Sequence, residues 1–358
     1  MTWQGFARYP RHGLAVALTL TGCFFALSAA AQNKPTTVEA IANYQGADRQ
    51  QILEEGARKE GSLLVYTTGT QIQPLIDKFK EKYPFLKVEL SRASSADTAR
   101  KVVEEYAASY HQVDAYELAS HGLIVPRDQG LLQPFTSPEM QNFDPDAIER
   151  GKHWVVARES YTGLGFNTTL VPEDKAPKTY EDLLKPEWKG KMAMSGSTAT
   201  SGNWVGTLVV LHGVDFVRKL GNQDVRVYKV TGRALANLMT SGEVALSPTI
   251  YNSHVEASVA KGAPLAWRAL GPVPVTDSGV ALAKASPHPH AAMLLVDFLL
   301  SKDAAQMYHE LGYDSARTDI KTGMTPPQKL YLTNRPNYIQ EFEQWNRLYQ
   351  DVFLKRKR

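Results

Sequence analysis

Four short stretches carry the residues best suited to chemistry in this chain. They are Thr67-Thr68-Gly69-Thr70, Ser94-Ser95-Ala96-Asp97, Ser197-Thr198-Ala199-Thr200-Ser201-Gly202 and Pro248 to Asn252. Three are rich in hydroxyls, and each lies between a strand-like run and a helix-like one. Backbone N–H groups at a helix N-terminus, with hydroxyls beside them, suit an anion or a carboxylate. The plainer reading of any one such stretch is helix capping, which Ser and Thr do throughout proteins. In open α/β sheets ligands sit beyond the carboxyl ends of the strands, and that rule selects all four loops together. It gives a candidate binding set of Thr68, Thr70, Ser95, Ser197, Thr198, Tyr251 and Asn252.

Other chemistry is sparse. There is no Gly-x-Ser-x-Gly elbow and no His-Glu-x-x-His helix. Scattered Ser, His and Asp side chains could still meet in space, so an exported hydrolase stays as a rival, although no enzyme is expected. Trp188, Trp204 and Trp267 could stack on a cationic or aromatic ligand. Core packing explains each of them more simply.

The elements that must position these residues begin after residue 31. Arg8, Arg11 and His12 precede an apolar run from Leu14 to Leu27, and Ser28-Ala29-Ala30-Ala31-Gln32 closes it. This is the pattern of a secretory signal peptide cleaved after Ala31. The run is shorter than the ~20 apolar residues a membrane span needs. Leu20-Thr21-Gly22-Cys23 also resembles a lipobox, which leaves a lipoprotein anchored at Cys23 as the alternative. Cys23 is the sole cysteine, so disulfides, thiolate zinc sites and thiol nucleophiles are excluded from the mature chain. Losing residues 1–31 removes two arginines and no acid, leaving 38 basic against 37 acidic residues. That balance gives no reason to expect nucleic acid as a partner.

At 358 residues the chain is long enough for two domains or lobes. Ala47 to Glu60 reads as a helix stopped by Gly61. Leu63–Thr67, Leu86–Leu90 and Val113–Leu118 read as strands separated by helices, which is βαβ grammar and a parallel sheet. The middle repeats it: strands at Gly163–Asn167, Lys191–Met194, Val225–Val230 and Val244–Leu246, with helices between. Gly279–Ala283 is a further strand, and Pro287 opens a long helix through Leu300. Lys355-Arg356-Lys357-Arg358 reads as a solvated tail.

Several of these segments resemble one family in order. Ala57-Arg58-Lys59-Glu60-Gly61 before Leu63-Leu64-Val65-Tyr66, and Phe79-Lys80-Glu81-Lys82-Tyr83-Pro84 before Lys87-Val88-Glu89, resemble the opening of bacterial extracellular solute-binding proteins. Tyr180-Glu181-Asp182-Leu183-Leu184 with Pro186-Glu187-Trp188-Lys189-Gly190-Lys191 looks like the start of their second lobe. Gly279-Val280-Ala281-Leu282 with Pro287-His288-Pro289-His290-Ala291-Ala292, then Phe298-Leu299-Leu300-Ser301, looks like their return to the first. The branch it most resembles contains ferric-iron-binding and thiamine-binding members, over about residues 50–320.

The resemblance implies an α/β, two-lobe periplasmic-binding-protein clamshell of type II. Each lobe is a mostly parallel sheet flanked by helices, and two hinge crossovers join them. Lobe 1 is then residues 33–160 plus 272–358 and lobe 2 residues 161–271, with hinges at Ala157–Thr162 and Leu270–Asp277. It implies a monomeric periplasmic protein that captures iron(III) or a small organic ion and delivers it to an inner-membrane ABC permease and its ATPase. A ligand-reporting role beside a sensor is the alternative. No cofactor is implied beyond iron(III) as cargo. Ferric-binding members hold iron with neighbouring tyrosines, often with a histidine and an acid. Here Tyr251 follows Ile250, and the first loop has no histidine. Tyr251 and Glu117 are the metal candidates, with Tyr116 nearby. His288 and His290 have metal-pair spacing, but the family uses that segment as a connector.

Overall fold

The computed structural model describes residues 34–69, 71–320, 326 and 328–355. The expected signal peptide with Cys23, Thr70 and the last three tail residues lie outside them, as does the side chain of Thr198. Helix α1 (Val38–Asn43) and α2 (Arg49–Glu60) lead into β1 (Ser62–Thr67). Gly61 ends α2 with a left-handed φ of 69°, the conformation a glycine adopts at least cost. Next come α3 (Gln73–Lys82), β2 (Lys87–Arg92), α4 (Ser95–Ala107) and β3 (Ala115–Ala119). Leu75, Ile76 and Phe79 of α3 are buried at the spacing of one helix face. Strands β2, β1 and β3 are parallel, as the βαβ grammar requires.

Helix α5 (Ile124–Asp128) and the short β4 (Leu132–Gln133) precede β5 (Trp154–Asn167). The expected strand at Gly163 is only the far end of β5. Its first half pairs antiparallel with a later strand, and its second half pairs elsewhere. The expected hinge Ala157–Thr162 is therefore continuous strand. Thereafter come β6 (Ala193–Ser195), α6 (Thr198–His212), α7 (Val214–Gly221), β7 (Arg226–Tyr228), α8 (Gly232–Thr240), β8 (Leu246–Tyr251), α9 (Asn252–Val259) and β9 (Leu265–Arg268). The chain returns through β10 (Val273–Ala283), α10 (Pro289–Leu300), α11 (Lys302–Glu310), β11 (Lys329–Leu330) and α12 (Tyr338–Tyr349).

One nine-stranded mixed sheet runs β2-β1-β3-β10-β5-β8, with β4 and β11 also on β10 and β9 on β5. β6 and β7 form a separate parallel pair. Nine of the twelve residues of α10 are buried, so this helix is apolar all round and lies inside the core. A second cluster, Leu235, Met239, Ile250, Val255 and Leu265 among its members, belongs wholly to the β6–β9 region.

Two local expectations are corrected. Pro248 to Asn252 is not a loop: Leu246–Tyr251 is the strand β8, and Asn252 opens α9. Gly163 pairs with Ile250 and Gly165 with Ser247, so Pro248 and Thr249 face one residue at a bulge, where the missing proline N–H breaks no ladder. Ser197 to Gly202 is not a loop either, because α6 starts at Thr198. The C-terminal residues form α12, and α12 packs on α6 in the span expected for lobe 2. Two glycines one turn apart permit this. A Cβ on Gly206 would come within 2.3 Å of the Trp345 ring, and one on Gly202 within 2.2 Å of Asn346 Oδ1.

Candidate functional site

Helix α6 begins with a cap that also starts a chain of hydroxyls. Ser197 Oγ accepts from Thr200 N and lies 3.2 Å from Thr200 Oγ1. Thr200 Oγ1 is 3.1 Å from the Tyr251 phenol oxygen, and that oxygen is 3.1 Å from Thr276 Oγ1. The ladder thus runs from a helix N-terminus, across the last residue of β8, to β10 in the expected second hinge. Thr200 and Thr276 were not in the candidate set. Thr200 stands in one of the hydroxyl-rich stretches and Thr276 in a hinge segment, but their meeting at Tyr251 needs the fold.

Tyr251 is half-buried, and His254 packs edge-on against its ring with centroids 5.4 Å apart. Burial, with the Arg233 charge behind it, pushes the His254 imidazole down to about 4. It is therefore neutral at ordinary pH. Asn252 is 2% exposed, and its Oδ1 accepts from Tyr161 N at 3.0 Å. It ties the start of α9 to β5.

In the β1–β3 region Thr68 joins the strand ends. Its N–H donates to the Glu117 carbonyl at 3.0 Å and its Oγ1 accepts from Ala119 N at 3.1 Å. Ser95 is the first residue of α4, buried against Gly122, while Ser94 supplies the cap. Glu117 is fully buried. Thr67 Oγ1 donates to its Oε2 at 2.6 Å, and Arg158 Nε donates to its Oε1 at 2.9 Å. Arg158 in turn lies over the Tyr313 ring. A metal at Glu117 would have to displace these partners. A Cβ on Gly69 would press to 2.8 Å from Glu117 Oε2, which is why the loop after β1 carries glycine there. Tyr116 is not an oxygen donor to this site. It is buried against Tyr66, and burial pushes its phenol far up.

Among the described residues no group of three or more His, Cys, Asp or Glu side chains could hold a metal ion. His288 and His290 separate onto different acids: His288 Nδ1 on Asp114 at 3.1 Å and His290 Nδ1 on Glu60 at 2.6 Å. Trp188 and Trp204 are buried in the core, and Trp267 Nε1 donates to the Ile250 carbonyl.

Among the described residues, Ser, His and Asp do meet at one place. Ser62 Oγ lies 3.1 Å from His288 Nε2, whose Nδ1 faces Asp114. An acyl-transfer site also needs free N–H donors for an oxyanion. The candidates at the start of α10 are already used: His288 N donates to Asp114, and His290 N and Ala291 N donate to Glu60. Asp114 also accepts from Leu64 N and Ser286 Oγ. The trio fastens α10 to β1.

A mixed α/β sheet whose long strands β5 and β10 pass from one strand set to another, with hydroxyls and helix N-termini at the strand ends, is the fold of type II solute-binding clamshells. The chain belongs to the bacterial extracellular solute-binding protein family, whose sequence model matches residues 74–330. It is 24% identical over 161 residues to an Fe(3+)-binding periplasmic protein of Serratia marcescens, a match covering 44% of this chain and 47% of that one. Among solved structures it resembles FutA of Trichodesmium with iron and citrate, at TM-score 0.68 and 19% identity, covering 82% of this chain and 99% of that one. It also resembles AfuA of Actinobacillus pleuropneumoniae with fructose-6-phosphate, at TM-score 0.62 and 21% identity, covering 83% and 99%. These likenesses establish the fold.

Proposed function

We propose that this protein captures a small oxygen-rich anion, bearing a carboxylate or phosphate, between two lobes and hands it to an inner-membrane ABC permease and its ATPase. The observation that carries this reading is the ladder Ser197–Thr200–Tyr251–Thr276. It offers hydroxyls beside a helix N-terminus and spans from one lobe to the hinge. In this reading lobe 1 comprises residues 33–160 and 272 to about 331, lobe 2 residues 161–271, and α12 joins lobe 2 by its packing on α6. Thr68, Thr70, Ser95, Ser197, Thr198 and Tyr251 line the cleft, and Asn252 positions Tyr251 from behind. The protein is a monomer exported to the periplasm, with a mature start at Gln32. A diacylglyceryl mass on Cys23 would instead make it an anchored lipoprotein.

Iron(III) carried with an anion is the second reading. The Tyr251 phenol and the ferric relatives support it, and the engagement of Glu117 by Arg158 weighs against it. Native mass spectrometry with metal analysis of protein purified from its own periplasm decides between them. A bound organic anion without metal supports the first reading. Stoichiometric iron supports the second.

A further inference from the structure

Asp277 on β10 and Glu159 on β5 are paired in register across two antiparallel strands, and both are almost wholly buried. Like charges directly opposite one another repel. A C-terminal arm, residues 328–354, covers them. Lys329 and Leu330 pair alongside Val273 and Pro274. Lys329 Nζ reaches Glu159 Oε2 at 2.6 Å, and Tyr161 and Tyr331 donate their phenol protons to the same carboxylate. Thr333 Oγ1 donates to Asp277 Oδ2 at 3.0 Å. The arm then crosses to α6: Tyr338 donates to Asn203 Oδ1, and Trp345 lies on Gly206. It therefore grips both the hinge strands and the helix that carries Ser197 and Thr200.

We propose that this arm is the clasp of the hinge and that the Asp277–Glu159 pair makes its grip depend on protonation. Among the described residues, the titratable groups around the pair are Lys329, Tyr161, Tyr331 and Tyr338, with the Asp314 and Asp144 charges acting on the Tyr161 and Tyr331 phenols. Glu159 meets Lys329, Tyr161 and Tyr331, and its backbone pairs with that of Asp314. Asp277 meets Thr333, Ser120 and the Glu159 charge, with Tyr338 beyond. Among the described ion pairs Lys329 serves Glu159 and no cation reaches Asp277. Burial, helped by the Glu159 charge, raises the Asp277 carboxyl from 3.8 to about 6, against the lowering effect of its Thr333 hydrogen bond and the nearby Ser120 hydroxyl. An acid raised in the closed arm binds its proton more tightly there than when hydrated. The grip is full below 3.8 and weakens as pH rises through about 6. Proton linkage then gives a closed arm favoured about fourfold more at pH 5.5 than at pH 7.5.

The bearing on solute capture rests on the two-lobe reading above, but the test needs no solute. Amide hydrogen exchange of the full chain is followed at pH 5.5, 6.5 and 7.5, corrected for intrinsic rates, in peptides from 328–336 and 338–349. Protection of the arm should rise about fourfold on acidification. Asp277→Asn should lose the rise in arm protection on acidification and be at least as protected at pH 7.5 as the natural protein. Lys329→Met should move the midpoint to higher pH, because Glu159 loses its counter-charge. That variant keeps the test sharp if Asp277→Asn does not fold. A flat profile in the natural protein, an unchanged profile in Asp277→Asn, or an unmoved midpoint in Lys329→Met would each overturn the proposal.

Discussion

The Tyr251 phenol oxygen stands 3.1 Å from Thr276 Oγ1, joining the end of β8 to the strand that leaves the hinge. Tyr251 also faces Thr162 in the β5–β8 register. A ligand that engages the phenol is thereby sensed by both strands that pass between the proposed lobes.

Tyr251→Phe keeps the ring and its packing on His254 but removes the ladder's central oxygen. A hydrogen bond to a charged ligand contributes ~1.5–3 kcal/mol, so affinity for the anion recovered from the native protein should fall about tenfold to a hundredfold by calorimetry. With iron(III) as cargo, the tyrosinate charge-transfer colour should vanish as well. Tyr251→Ala and Ser197→Ala both binding with unchanged affinity would put the site elsewhere.

Arg158→Met should be strongly destabilising. It leaves the fully buried Glu117 carboxylate with Thr67 as its remaining partner among the described residues. Removing one member of a buried pair costs ~3–5 kcal/mol, which urea unfolding reads as a lower midpoint. Adding Glu117→Gln to Arg158→Met should recover part of that loss. An additive double variant would show that the two groups do not interact.

The α6–α12 contact gives a graded pair of substitutions. Gly206→Ala drives a Cβ against the fixed Trp345 ring, an overpacking that costs ~1–3 kcal/mol. Gly202→Ala meets first the end of the Asn346 side chain, which can turn away, and then the edge of the Phe342 ring at 3.1 Å, a milder contact than the Trp345 ring at 2.3 Å. Thermal unfolding should show the larger drop for Gly206→Ala. The reverse order would mean that α12 does not seat on α6 as described.

His254 makes stability fall in acid. Its folded pKa, about 4, lies below the ordinary 6.5. The unfolded chain therefore binds the extra proton between these values, and stability declines as pH drops from 6.5 toward 4. Asp277 has the opposite sign over 3.8 to about 6, so each partly hides the other. In His254→Gln the acid-side decline of the urea midpoint should shrink. An unaltered pH profile would mean that the imidazole is not held neutral.

Much of this protein is decided by local sequence. The α2 stop at Gly61, the apolar face of α3, the Ser94 and Ser197 caps and the parallel β1–β3 unit all follow from spacing and capping chemistry within a few residues. The hydroxyl-rich strand ends were legible too, because a strand followed by a helix fixes where a ligand can meet backbone N–H groups. Only the tertiary structure decided which side chains look into that space. Asn252 turned to Tyr161, and Glu117 was claimed by Arg158 from a strand 41 residues away. Thr276 reached Tyr251 across the intervening strand β5, and α12 crossed to α6 on two glycines whose only signal was their small size. Each of these depends on strand register and on contacts between distant segments. Local propensity and periodicity carry no information about either, since they record what a residue does to its neighbours in the chain and not what the fold later brings beside it.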